Sequence, residues 1–121
     1  MAKILIIDDD QSILESLEMY FSEKGHHVHK SLTGKQGLAL YSQYKPDVVI
    51  LDIRLPDASG LELLYEMQKF GFSSKTIMVT AYHDMNSTIE SMKGGAYDYI
   101  HKPLDIDEVE KVVQRALEIL D

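Results

Sequence analysis

The chain has 121 residues, 45% of them hydrophobic and 26% charged, which is enough for one hydrophobic core and one domain, 1–121, and too few for two. Twelve basic and twenty acidic residues leave a net charge of −8, which repels a phosphate backbone and argues against nucleic-acid binding by this segment. The lack of cysteine excludes disulfides, thiolate metal sites and cysteine nucleophiles, and no apolar run or signal peptide points to a membrane, so a cytoplasmic location is expected.

Strand-length apolar runs alternate with helical patterns along the whole chain. Residues 3–7 form an apolar run, and 10–24 carry Ile13, Leu14, Leu17, Tyr20 and Phe21 at helical spacing before Gly25 stops them. A short alternating strand over 27–31 precedes a helix over 35–44 and a second apolar strand over 47–51. A helix over 60–70, a strand over 76–79, a helix over 85–93, a strand over 97–100 and a helix over 106–120 complete the series. Asp105 and Glu108 mark the start of the last helix.

Five strands alternating with five helices predict an α/β fold, a doubly wound five-stranded parallel sheet of flavodoxin-like order 2-1-3-4-5. The runs ILII, VVIL and TIMV suit strands buried on both faces, whereas HVHKS suits an edge. Ligands of such sheets bind at the carboxyl ends of the strands, where the order reverses. Here the first strand ends in Asp8, Asp9 and Asp10, the third in Asp52, the fourth in Thr80, and the fifth runs into Lys102 and Pro103.

Asp10 reads as a helix cap, with Ser12 and Glu15 as a second capping-box candidate. Asp8, Asp9 and Asp52 then converge, and carboxylates ~5 Å apart repel by ~3 kcal/mol at an effective dielectric near 20. Protonation would relieve this, and so would a hard divalent cation. An all-oxygen ligand set favours Mg2+, and Lys102 and Thr80 add a positive charge and a hydroxyl suited to a phosphoryl group.

The ordered set DD at 8–9, LDIRLPDASG at 51–60, VTA at 79–81 and KP at 102–103 resembles the response-regulator receiver domain, CheY-like, over essentially the full length. The resemblance implies that Asp52 takes a phosphoryl group from a sensor histidine kinase, with no enzymatic turnover beyond its own phosphorylation and dephosphorylation. It implies that Asp9, Asp52 and the backbone carbonyl of Arg54 bind Mg2+, with Asp8 acting through a bound water, and that Lys102 pairs with the phosphoryl group across a cis Lys-Pro bond. It further implies that Thr80 moves toward the phosphoryl group and Tyr99 rotates, repacking the face of helix 4, strand 5 and helix 5, a possible homodimer surface; a half-buried strand aromatic is the plainer account of Tyr99.

Arg54 and Tyr82 occupy positions where the family varies and where bulk screens an acyl phosphate from water, so a long-lived phosphoryl group is expected. Gly94 beside Gly95 exceeds what a helix stop requires and either eases the switch or lengthens the turn. GAYDYIHKPLDIDE at 95–108 is similar to receivers of the nitrogen-regulator type, fused to an ATPase acting on sigma-54 polymerase; a free-standing phosphorelay receiver is the alternative.

Other readings fit less well. Asp8-x-Asp10 suits a haloacid-dehalogenase-type phosphatase, which also needs a later metal loop and a cap. A flavodoxin-like cofactor binder needs a Ser-, Thr- and Gly-rich loop after the first strand. TGKQG at 33–37 lacks the earlier glycine and the following Ser or Thr of a nucleotide loop, so it reads as a turn and helix start. His26, His27 and His29 read as a solvated edge strand rather than a metal site, and Glu15, Glu18 and Glu23 as a solvated helix face near which the family docks its kinase.

Overall fold

The computed structural model describes residues 1–81 and 84–118. Five parallel strands, β1 (Lys3–Ile7), β2 (His27–Ser31), β3 (Val48–Asp52), β4 (Lys75–Thr80) and β5 (Asp98–His101), lie in the order β2-β1-β3-β4-β5. The helices are α1 (Gln11–Glu23), α2 (Gly34–Tyr44), α3 (Gly60–Gln68), α4 (Met85–Lys93) and α5 (Ile106–Glu118).

Successive side chains of a strand point to opposite faces, so each apolar run feeds two cores. Ile4, Ile6, Val48, Ile50, Ile77, Val79 and Ile100 meet Leu14, Leu17 and Phe21 of α1 and Val109, Val112, Val113 and Ala116 of α5. Leu5, Ile7, Val49, Leu51 and Met78 meet Tyr41 of α2 and Leu63, Leu64 and Met67 of α3. The alternating β2 lies on the edge, as its pattern predicts.

Most boundaries move by one or two residues from the expected ones. Asp52 and Thr80 belong to their strands, and the third helix ends at Gln68 rather than at 70. Its tail tightens because Lys69, Phe70 and Gly71 donate to carbonyls three residues back, and Gly71 then takes φ +75°. Residues 119–120, expected to continue the last helix, lie outside the described residues.

Asp10 caps α1, accepting from Ser12 N–H at 2.9 Å and Ile13 N–H at 3.3 Å. Ser12 therefore sits inside the first turn and does not form a second box. The capping box closes instead at α3, between Ser59 and Glu62. Thr33 caps α2, confirming TGKQG as a turn and helix start.

Candidate functional site

Strand register brings the sequence-predicted residues to one edge. Ile7 of β1 is level with Leu51 of β3, Asp52 with Val79 of β4, and Thr80 with His101 of β5. The residues that follow these levels are Asp8, Asp52 itself, Thr80 itself and Lys102, so four strand ends deliver polar groups into one depression. Between β3 and α3 the loop turns back tightly: a Cβ on Gly60 would overlap the carbonyl of Asp52, so only glycine fits there.

Among the described residues, Asp8, Asp9 and Asp52 form the one group of three or more potential metal ligands, with ligand oxygens all within 4.8 Å of one another. Asp8 and Asp52 are 2% and 6% exposed, while Asp9 faces solvent. At 4.8 Å and an effective dielectric near 20, each ionised pair repels by about 3.5 kcal/mol. Lys102 Nζ offsets part of this, donating to Asp52 Oδ2 at 2.9 Å and lying 3.5 Å from Asp8 Oδ2. The Arg54 N–H donates to Asp52 Oδ1 at 3.1 Å and the Asp10 N–H to Asp8 Oδ1 at 2.9 Å.

The remaining imbalance appears in the titration of Asp8. Burial, reinforced by the Asp52 charge and only partly opposed by the Asp10 N–H and Lys102, pushes its pKa from 3.8 up to about 6. Burial also works against the Lys102 ammonium. The hydrogen bond and charge of Asp52, with Asp8 behind them, outweigh it and hold Lys102 above the usual lysine value.

Three carboxylates and one ammonium leave two negative charges, which a divalent cation would neutralise. All the charged donors are oxygens, with no imidazole or thiolate in the cluster, so the residues present fit Mg2+. The Lys102–Pro103 bond is cis.

Thr80 reaches the site edge but is 1% exposed, and its Oγ1 lies 2.8 Å from Thr88 Oγ1 in α4. Tyr99 is half-buried, packs on the α2–α3 side of the sheet and makes an edge-to-face contact with His101 at 5.4 Å. The Arg54 guanidinium is engaged by Asp84, with Nη2 2.7 Å from Oδ1. Tyr82, paired with Arg54 in the sequence reading, lies outside the described residues.

Sequence reasoning missed Asp84, Thr88 and Asp57. Asp57 accepts from the Gly34 and Lys35 N–H groups at 2.8 and 2.9 Å, strapping the β3–α3 loop to the head of α2 and holding its carboxyl below the usual range. The Asp57 and Asp84 pairs span 22 to 30 residues, and the Thr88–Thr80 pair spans 8 but joins a helix to a strand end, so none leaves a local signal. Gly94 has a reason the sequence did not suggest, since a Cβ there would collide with the ring of Tyr65. Gly95, at φ +114°, is the helix stop. The histidines do not gather: His26 Nδ1 accepts the Ala2 N–H at 3.0 Å and His29 stacks on Tyr44 at 3.8 Å.

The family described as response regulator receiver domain matches residues 4–114. Regulatory protein AtoC of Escherichia coli is 37% identical over 117 residues, covering 97% of this chain and 25% of that protein. Sporulation initiation phosphotransferase F of Bacillus subtilis is 34% identical over 115 residues, covering 95% of this chain and 93% of that protein. Among solved structures, a response regulator receiver domain protein from Clostridium thermocellum superposes with TM-score 0.91 at 30% identity, over 98% of this chain and 95% of that one. NtrX from Brucella abortus superposes with TM-score 0.89 at 31% identity, over 97% of this chain and 27% of that one. The chain thus spans a quarter of the length of AtoC. No helix among the described residues is long and apolar enough to cross a membrane.

Proposed function

Since the chain belongs to the response-regulator receiver domain family, we propose that Asp52 accepts a phosphoryl group from the phosphohistidine of a sensor kinase and that the domain then changes shape to control an output. One observation carries the reading most directly. Asp52 is buried at the end of β3 beside two further aspartates, yet one of its oxygens is already held by the Lys102 ammonium at 2.9 Å.

A carboxylate oxygen of Asp52 attacks phosphorus, an O–P bond forms, and the P–N bond breaks with its electron pair on the departing imidazole nitrogen. No general base is needed, because the nucleophile is already an anion. The Arg54 N–H fixes the Asp52 carboxylate through Oδ1, and Lys102 is placed to pair with the incoming phosphoryl oxygens. Asp9, Asp52 and the Arg54 carbonyl, with Asp8 behind them, would hold Mg2+, which supplies charge neutralisation for the transferred group. Thr80 and Tyr99 would report the change, with α4, β5 and α5 as the face repacked or paired with a second copy.

A groove of about 620 Å³ between α1 and the β5–α5 connection, lined by Ile13, Leu17, Pro103, Leu104 and Ile106, opens beside the site and suits a helix of the kinase. For the output, we favour a transcription factor with a sigma-54-type ATPase and DNA-binding region, supported by the segment at 95–108 and by the 37% identity to AtoC. A free-standing phosphorelay receiver is the second reading, supported by the 93% coverage of sporulation initiation phosphotransferase F. The length of the native open reading frame separates them.

The phosphoacceptor role is tested by incubating the chain with acetyl phosphate and Mg2+, with Asp52→Asn as control. An acid-labile, hydroxylamine-sensitive label on the wild type alone is expected. A hydroxylamine-resistant label, or equal labelling of the variant, refutes the role.

A further inference from the structure

Helix α4 is attached to the sheet differently from its neighbours. Helices α1, α3 and α5 bury leucine, phenylalanine, methionine and valine, whereas α4 buries Thr88 and Ser91 and leaves Ile89 and Met92 exposed. Its head is fastened by polar contacts. Arg54 Nη2 lies 2.7 Å from Asp84 Oδ1, and Arg54 Nε donates to the same oxygen at 2.8 Å. Thr88 Oγ1 lies 2.8 Å from Thr80 Oγ1 and 3.0 Å from the Asp84 carbonyl oxygen, in surroundings where both threonines are 1% exposed.

The sheet-side ends of these contacts are two groups that border Asp52. Thr80 closes β4 one residue beyond Val79, which is level with Asp52. Arg54 lies two residues beyond Asp52 and already donates its N–H to that carboxylate.

We propose that Asp84 and Thr88 latch the head of α4 while Asp52 is unmodified, and that a phosphoryl group on Asp52 opens the latch by drawing Arg54 from Asp84 and Thr80 from Thr88. The inference rests on the reading of Asp52 as phosphoacceptor and adds the groups that restrain α4. The physical basis is competition. A phosphoryl group brings a charge approaching −2 and three strong acceptor oxygens, against the single charge of Asp84. Thr80 Oγ1 accepts from the Thr88 hydroxyl and donates to the Ala81 carbonyl oxygen at 3.1 Å, so a Thr80 turned to donate to a phosphoryl oxygen carries its Oγ1 away from Thr88 and leaves that donor without its acceptor on the sheet. With threonine and serine as its buried side chains, α4 has little apolar burial to hold its position once these contacts go, whereas α5 keeps four buried apolar residues. The latch is therefore a two-state element biased by a local charge change.

The test is residue-resolved amide hydrogen exchange along α4, before and after phosphorylation with acetyl phosphate and Mg2+, with label on Asp52 measured in parallel. The proteins are wild type, Asp84→Asn, Thr88→Val, Thr88→Ser, Arg54→Gln and the Arg54→Gln/Asp84→Asn double variant, and unchanged exchange in β1 and β3 confirms that each is folded. In the wild type, phosphorylation should speed α4 exchange about tenfold and leave α1 and α5 unchanged. Before phosphorylation, Asp84→Asn and Thr88→Val should each speed it roughly three- to tenfold, the effect of losing one such contact. Thr88→Ser, which keeps the hydroxyl, should not, and the double variant should exchange no faster than either single one. Labelled wild type with unchanged α4 exchange overturns the proposal, and so do additive effects of Arg54→Gln and Asp84→Asn. A wild type that takes no label overturns the phosphoacceptor reading instead, and the Arg54–Asp84 coupling is still decided by the double variant.

Discussion

Replacing Asp8 by asparagine should stabilise the protein in the absence of divalent cations. Asp8 is 2% exposed, its ligand oxygen lies within 4.8 Å of those of Asp9 and Asp52, and its pKa stands at about 6 against 3.8 for a free side chain. At 1.36 kcal/mol per unit that gap amounts to about 3 kcal/mol. Water at the mouth of the site, where Asp9 is exposed, screens part of it and leaves about 1.5–2 kcal/mol. Asparagine keeps an oxygen for the Asp10 N–H while removing the charge.

The sign follows from linkage. A raised folded-state pKa means that the folded chain binds this proton more tightly than the unfolded chain. The contribution of Asp8 is therefore fully present below 3.8 and lost as pH rises through about 6. The advantage of Asp8→Asn should accordingly be near its maximum at pH 7.5 and shrink toward pH 5. Thermal unfolding in EDTA at both pH values measures it, and 1.5–2 kcal/mol corresponds to a Tm increase of about 5–10 °C for a domain of this size. A variant no more stable than wild type at pH 7.5, or an advantage that does not shrink on acidification, would refute the account of the acidic cluster.

Further outcomes are expected elsewhere in the molecule. Mg2+ should raise the wild-type Tm, each tenfold increase above its dissociation constant adding about 1.4 kcal/mol, and Asp9→Asn should abolish the rise in a differential scanning titration. A Cβ on Gly37 would fall 2.5 Å from Cδ1 of the fully buried Ile7, so Gly37→Ala should lose about 1–2 kcal/mol in urea unfolding despite alanine's better helix propensity. Burial, with the nearby amino terminus, lowers the pKa of His26 below 6.5, so its contribution is present above 6.5 and lost as pH falls through the lowered value. His26→Asn retains an acceptor for the Ala2 N–H and should flatten the urea midpoint between pH 7 and pH 5 relative to wild type.

The sequence by itself determined the order of elements, the parallel sheet with β2 at its edge, the Asp10 cap and the four strand ends that carry Asp8, Asp9, Asp52, Thr80 and Lys102. Those features are decided within a turn or a strand, by periodicity, by a capping carboxylate and by unbroken apolar runs such as VVIL, so they can be read locally. Tertiary structure decided what each of these groups meets. Lys102 and Asp52 are 50 residues apart, Arg54 and Asp84 are 30 apart, and each contact depends on which strands are neighbours and at what register. The burial of α4 was hidden for the same reason. Its pattern offers Ile89 and Met92 for a core, but the helix presents Thr88 and Ser91 to the fold, and Thr88 meets the hydroxyl of Thr80 beside the acidic site.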